Sequence, residues 1–205
     1  QLALSVEEWT LQADGAKAFG LPGLSPFGCG AWMSVEPQTL SLGPNEKGQI
    51  TVMMQTPTES VGGHQAVVFA QNMPILSQQK DGQVPVLGKV GAIVFQETVG
   101  ATTVKLVAKG DGLDVETHKQ TLHLELKNEG NTYVAATGYA MLLRDDTGSV
   151  LDRQNLPTWA LMPGDLKKPT VVFDKQPLGP GKYLILVSLE SEGADPLVIE
   201  EGFTL

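Results

Sequence analysis

Trp32-Met33-Ser34-Val35-Glu36-Pro37-Gln38-Thr39-Leu40-Ser41-Leu42-Gly43-Pro44-Asn45-Glu46-Lys47-Gly48-Gln49-Ile50-Thr51-Val52-Met53-Met54-Gln55-Thr56-Pro57 decides the fold of this chain. It reads as a strand, a Pro-containing corner, a turn and a second strand. Gly43 to Gly48 is the reversal: Pro44 presets φ, and Asn45 and Gly48 tolerate the angles that remain. Beyond the turn, Ile50, Val52 and Met54 fall on one face, opposite Gln49, Thr51, Met53 and Gln55. That period of two predicts a half-buried strand.

The same grammar recurs on both sides. Upstream, Leu2, Leu4 and Val6 alternate with Ala3, Ser5 and Glu7, predicting a strand that starts at the first residues and turns at Asp14-Gly15. Residues 19–30 form a Gly/Pro loop. Downstream, Gly62-Gly63 leads into a strand over 64–71, and residues 72–88 form a polar connection. Val90 to Gln96 is apolar on both faces, the mark of a central strand. Residues 101–108 predict one more, and Lys109-Gly110-Asp111-Gly112 is the best linker in the chain. In the second half, Leu122, Leu124 and Leu126 alternate with polar residues, Asp145-Asp146-Thr147-Gly148 makes a hairpin, and Tyr183, Ile185, Val187 and Leu189 share a face. Leu178-Gly179-Pro180-Gly181-Lys182-Tyr183 is similar to the tyrosine corner of Greek-key sandwiches. No amphipathic helix of ordinary length is predicted.

These patterns predict an all-β chain. Its 205 residues exceed one sandwich of about 100 residues and suit two. We therefore expect two tandem immunoglobulin-like antiparallel β-sandwiches, residues 1–109 and 110–205. Hydrophobic residues at 41% suffice for two cores, and 23 Gly and 13 Pro serve the turns between short strands.

The formal charge of −9 argues against nucleic acid or an anionic membrane as partner, since both call for a basic face. No run of eighteen apolar residues predicts a membrane span. Cys29 is the single cysteine, so no intrachain disulfide forms, and the residue is expected to be a bystander in its Gly/Pro loop.

Catalytic and metal-binding patterns are missing. Gly23-Leu24-Ser25-Pro26-Phe27 lacks the final Gly of a nucleophile elbow, and Gly28 to Met33 lacks the last Gly of a dinucleotide fingerprint. His118 and His123 are five apart and face opposite sides of a strand, while His123 and Glu125 share a face but lack a third ligand. Asp111, Asp114 and Glu116 match no defined calcium loop. We expect no enzyme activity, no metal and no cofactor. Among the tryptophans, Trp9 and Trp32 are expected in the core and Trp159, beside Pro157, on the surface, where it could bind a partner.

The succession Asp14-Gly15, Trp32, Val35-x-Pro37, Leu42-x-Pro44, Thr56-Pro57, Gly62-Gly63 resembles the first domain of periplasmic pilus-assembly chaperones and related extracytoplasmic sandwich proteins. The resemblance implies that Gly88 to Phe95 is the last strand of that domain, the one that binds pilin subunits by completing their sheets through β-strand addition. Val90, Ala92, Ile93, Val94 and Phe95 are then the partner-binding residues, the partner is a protein held at an exposed strand edge, and the location is periplasmic or extracellular at a bacterial surface. Two features depart from the family. Its members begin with two further strands, one carrying a basic residue for the client's terminal carboxylate, and they tend to be basic; here Arg144 and Arg153 both lie in the second half. An upstream region or a strand from another copy is expected to fill that place, the latter making the chain a surface or filament subunit joined by strand exchange. A wall-polysaccharide or adhesion module, and an appendage of a larger secreted enzyme, are the remaining expectations.

Overall fold

A computed structural model describes residues 1–12, 14–23, 25–73 and 87–205. The chain forms two compact units, Gln1–Ala101 and Thr102–Leu205. The described residues contain β-strands and one short 3₁₀ turn, Gly30–Trp32, with no α-helix. The all-β, twin immunoglobulin-like sandwich expected from the alternating patterns is the fold observed.

The first unit holds β1 (Leu2–Leu11), β2 (Lys17–Gly20), β3 (Met33–Glu36), β4 (Thr39–Leu40), β5 (Thr51–Met54), β6 (Gly63–Asn72) and β7 (Lys89–Glu97). Its main sheet runs β2-β1-β6-β7, with β4 beside the start of β1, and every pairing is antiparallel. β3 and β5 form a second sheet of two strands. Leu4, Val35 and Val68 are buried between the sheets, with Val6, Met33, Leu40, Ala70 and Val94 packed on them. The Trp32–Pro57 stretch thus supplies β3, β4 and β5, and its turn has Asn45 at φ 64°, as the choice of residue anticipates. One difference matters. All four residues of β5 are exposed, not half-buried: among the described residues β3 is its one strand partner, and its apolar side chains line an open groove.

The second unit holds β8 (Leu106–Glu116), β9 (Lys119–Asn128), β10 (Val134–Arg144), β11 (Ser149–Leu161), β12 (Leu166–Lys167), β13 (Thr170–Phe173), β14 (Lys182–Glu190) and β15 (Leu197–Thr204). One sheet runs β11-β10-β14-β15; in the other, β9 pairs with β8 on one side and with β12 and β13 on the other. Leu122, Leu124 and Leu126 of β9 face Ala140, Leu142, Ile185, Val187 and Leu189 in a continuous buried core. Burying each such leucine contributes about 1.5–3 kcal/mol. Tyr183 donates its phenol proton to the Gly179 carbonyl at 2.7 Å, which completes the tyrosine corner.

The linker expectation differs from the observed division. The units divide between Ala101 and Thr102, and Gly110 and Gly112 sit inside β8, flanking a bulge in its pairing with β9. Gly112, at φ 145°, supplies backbone freedom to a strand, not to a linker. The strand predicted over 101–108 begins only at Leu106. The connection at 72–88 falls mostly on residues 74–86, outside the described residues.

Candidate functional site

β7 is the terminal strand of the first unit's main sheet and pairs with β6 from Lys89↔Gln71 to Glu97↔Gly63. The alternation of its side chains gives it two faces. Val90, Ala92, Val94 and Gln96 point the same way as Ala70, Val68 and Ala66 of β6, toward the space between the sheets. Gly91, Ile93 and Phe95 share the opposite face with Phe69, Val67 and Trp9, which are buried. Seven of its nine residues are exposed, and Val90 reaches 76%.

Between β7 and β5 lies an open apolar groove of about 540 Å³. Ile50, Val52 and Met54 form one wall, Val90, Ala92 and Val94 the other, and Leu4, Met33, Val68 and Ala70 the floor. The groove brings the face of β5 that the sequence marks as buried next to the strand the resemblance singled out.

The central-strand expectation for Val90–Gln96 is therefore corrected. Hydrophobic residues on both faces ordinarily mean burial on both faces, yet among the described residues this strand is at an edge. Its pattern is that of a covered strand, while among the described residues β6 is its one strand partner.

On the face opposite the groove, Trp9 is buried and meets Phe95 edge-on, with ring centroids 5.9 Å apart. Phe19 meets Phe69 edge-on at 5.2 Å. Lys89 Nζ lies 3.8 Å over the Phe69 ring and pairs with Glu7 Oε1 at 2.5 Å. Sequence reasoning missed this aromatic shelf, because strand pairing alone aligns positions so far apart in the chain.

A caged carboxylate holds the other end of β1. Glu8 is buried, and its Oε1 accepts hydrogen bonds from the backbone N–H of Gly23 (2.9 Å) and Gly30 (3.1 Å), its Oε2 from that of Ser25 (3.1 Å). The 25–30 segment is stitched to β6 through Gln65, whose N–H donates to the Phe27 carbonyl and whose carbonyl accepts from Cys29 N–H. Gly28 is required here: a Cβ at that position would overlap the Glu8 carboxylate. Cys29 is fully buried in this loop, and burial, with the Glu8 charge as a smaller cause, pushes its thiol up to about 11. A thiol so placed holds roughly one thiolate in a thousand at pH 8. We expect the native protein to resist a thiol reagent such as Ellman's and to react stoichiometrically in denaturant; rapid native labelling would overturn the burial.

The remaining candidates lie elsewhere. Trp159 is in β11, opposite Ala136, half-buried and packed on the core of the second unit. It is not the exposed residue that Pro157 suggested, because the strand runs on through Pro157 to Leu161. Trp32 is half-buried in the 3₁₀ turn, its ring 4.5 Å from that of His64. Asp111 binds Lys168 at 2.9 Å, and Asp114 binds His123 at 2.9 Å. The Lys168 hydrogen bond and charge hold the Asp111 carboxyl below its ordinary value. Among the described residues no group of three His, Cys, Asp or Glu side chains could hold a metal ion, and no helix is long and apolar enough to cross a membrane.

No protein-family model matches the sequence, and no match to a curated protein reaches significance. Solved structures do resemble it. A chain of the chaperone–tip adhesin complex of CFA/I fimbriae aligns with 98% of this chain and 84% of its own, at 10% identity and a TM-score of 0.51. The class 5 fimbriae chaperone CfaA aligns over the same shares at 11% identity and a TM-score of 0.47. A β-glucosidase from Kluyveromyces marxianus aligns with 49% of this chain at 13% identity and a TM-score of 0.37. This chain spans 14% of that enzyme's length. The first likeness is one of fold, and it runs through both units.

Proposed function

We propose that the chain is a non-enzymatic assembly protein of the bacterial periplasm or cell surface, which binds an extended segment of a protein partner by strand addition at β7. The observation that carries this reading is the mismatch at β7 between a doubly apolar pattern and an edge position. Leaving such an edge bare invites uncontrolled association, so a specific partner strand is the economical reason for its composition. The incoming strand pairs its backbone with β7 and lays alternate apolar side chains over Val90, Ala92 and Val94 in the groove, so the main chain supplies affinity and the pocket supplies selectivity. The fold shared with a chaperone–tip adhesin complex supports the same role. The rival in which another copy's strand fills the groove, making a filament subunit, draws on the exposed apolar wall of β5.

Peptides selected from a random phage-displayed library separate these readings. We expect binders that alternate apolar and polar residues, that protect β7 amides from hydrogen exchange, and that lose at least about tenfold in affinity to Val90→Asp, whose exposed position keeps its folding cost small. Binders without alternation, or protection confined to the second unit, would overturn the proposal. Protection of β5 rather than β7 would favour the filament reading.

A further inference from the structure

We infer that the outer face of the β11-β10-β14-β15 sheet packs against the same face of a second copy of this chain, about a two-fold axis that runs along the strands between β10 and β14. The contact uses no residue of the first unit and stands apart from strand addition at β7. Alternation divides each strand of this sheet between two faces. Ala140, Leu142, Ile185 and Val187 point into the core, so Met141 and Leu143 of β10 and Leu184 and Leu186 of β14 point away from it. The solvated side of an antiparallel sheet ordinarily carries polar residues. Here four adjoining apolar side chains hold its centre, and Val150 and Val198, 53% and 58% exposed, extend the patch to both edge strands. Contiguous apolar surface of this kind marks an interaction site.

Charge selects the occupant. One row across the sheet, from β11 to β15, reads Arg153, Met141, Leu186, Glu200. Both charged residues are exposed, and among the described residues neither is in an ion pair. The Arg153 guanidinium lies over the Tyr139 ring, 4.5 Å from its centroid, which holds it on this face. A two-fold axis along the strands exchanges β11 with β15 and β10 with β14 and keeps each row in place. Arg153 of each copy then meets Glu200 of the other, and Met141 meets Leu186, each contact made twice. An axis across the strands through this row would set Arg153 on Arg153 and Glu200 on Glu200, so charge chooses between the two. Shape agrees. The neighbouring rows are Val150, Leu143, Leu184, Gly202 and Asn155, Tyr139, Ser188, Val198. The same axis puts Val150 over Gly202 and Tyr139 over Ser188, large against small. Aligned sheets cross at about 30°, an offset that side chains as long as those of Arg153 and Glu200 span at the edges. A patch four strands wide falls at the small end of specific interfaces, which makes the dimer dissociable.

Sedimentation of the full chain tests the inference, at about 0.15 M salt, where charges more than roughly 8 Å apart are largely screened and the net charge of −9 no longer masks a contact pair. The expected result is a concentration-dependent dimer that Arg153→Glu and Glu200→Arg each weaken by at least about tenfold, because each variant sets like charges against each other at both edges. Mixed in equal amounts, the two variants regain opposite charges at both edges and form a heterodimer, which no general loss of stability could produce. Met141→Ser, at the centre of the patch, should weaken the dimer while the second unit's urea transition stays at the wild-type midpoint. A wild-type chain that remains monomeric at its highest soluble concentration overturns the inference, as does a dimer that Arg153→Glu leaves intact or a mixture that stays monomeric. A monomer whose β7 amides the selected peptides still protect sinks the face-to-face dimer alone; a dimer with no peptide protection sinks strand addition alone.

Discussion

Glu8→Ala is expected to destabilise the first unit by about 3–5 kcal/mol, with the second unit's transition unmoved. The Glu8 carboxylate gathers the N–H groups of Gly23, Ser25 and Gly30, donors from a loop with no strand partner for them. A hydrogen bond to a charged group is worth about 1.5–3 kcal/mol, and a buried donor left unmade costs a similar amount. Two of these donors are only partly buried and regain water when the side chain is cut, which holds the sum below three full bonds. Glu8→Gln keeps one accepting oxygen but aims an amide N–H₂ at backbone donors, so it should recover less than half of the loss. Urea unfolding followed by fluorescence checks this, because Trp9 and Trp32 report on the first unit and Trp159 on the second. An unchanged first transition would mean that the loop, not Glu8, holds itself in place.

Nothing in the sequence around Glu8 announces that role. Glu7-Glu8 reads as two polar positions near the end of a strand, and the donors lie 15 to 22 residues away in a loop of glycines and prolines. Elements whose identity is set by local alternation were legible: Leu122-x-Leu124-x-Leu126 became a fully buried strand face, and Gly179 to Tyr183 became the tyrosine corner. What alternation cannot convey is which strands lie next to each other. It marked Ile50, Val52 and Met54 as a buried face when they wall an open groove, and it read β7 as central when β7 is terminal. Both differences fall on the two walls of one groove, where local pattern and global position disagree; such conflicts concentrate at functional sites. The glycine run at 110–112 misled for a related reason. A glycine at a bulge and a glycine in a linker share the same freedom of φ, and only the pairing of β8 with β9 tells them apart.

Gly138→Ala is the second change expected to have a large effect, and it tests how closely the central strands of the second unit approach. Gly138 pairs with Leu189 of β14, beside a register shift between β10 and β11. A Cβ there would collide with the Ser188 carbonyl oxygen and crowd the Leu189 Cα, at 3.1 Å. All of these obstacles are backbone, so no rotamer change relieves them. The strands must part, and they do so directly over Ala136, Ala140, Val187 and Leu189 in the core. The expected cost is about 3 kcal/mol or more, at the upper end of overpacking. Gly164→Ala is the matching control, because Gly164 holds φ 84° in a turn where a Cβ meets open space. It carries only the left-handed backbone penalty, about 1–2 kcal/mol. Both are read from the Trp159 transition in urea. The two losses should differ by more than the uncertainty of the extrapolation, and equal losses would mean that β10 and β14 have room to spare at Gly138.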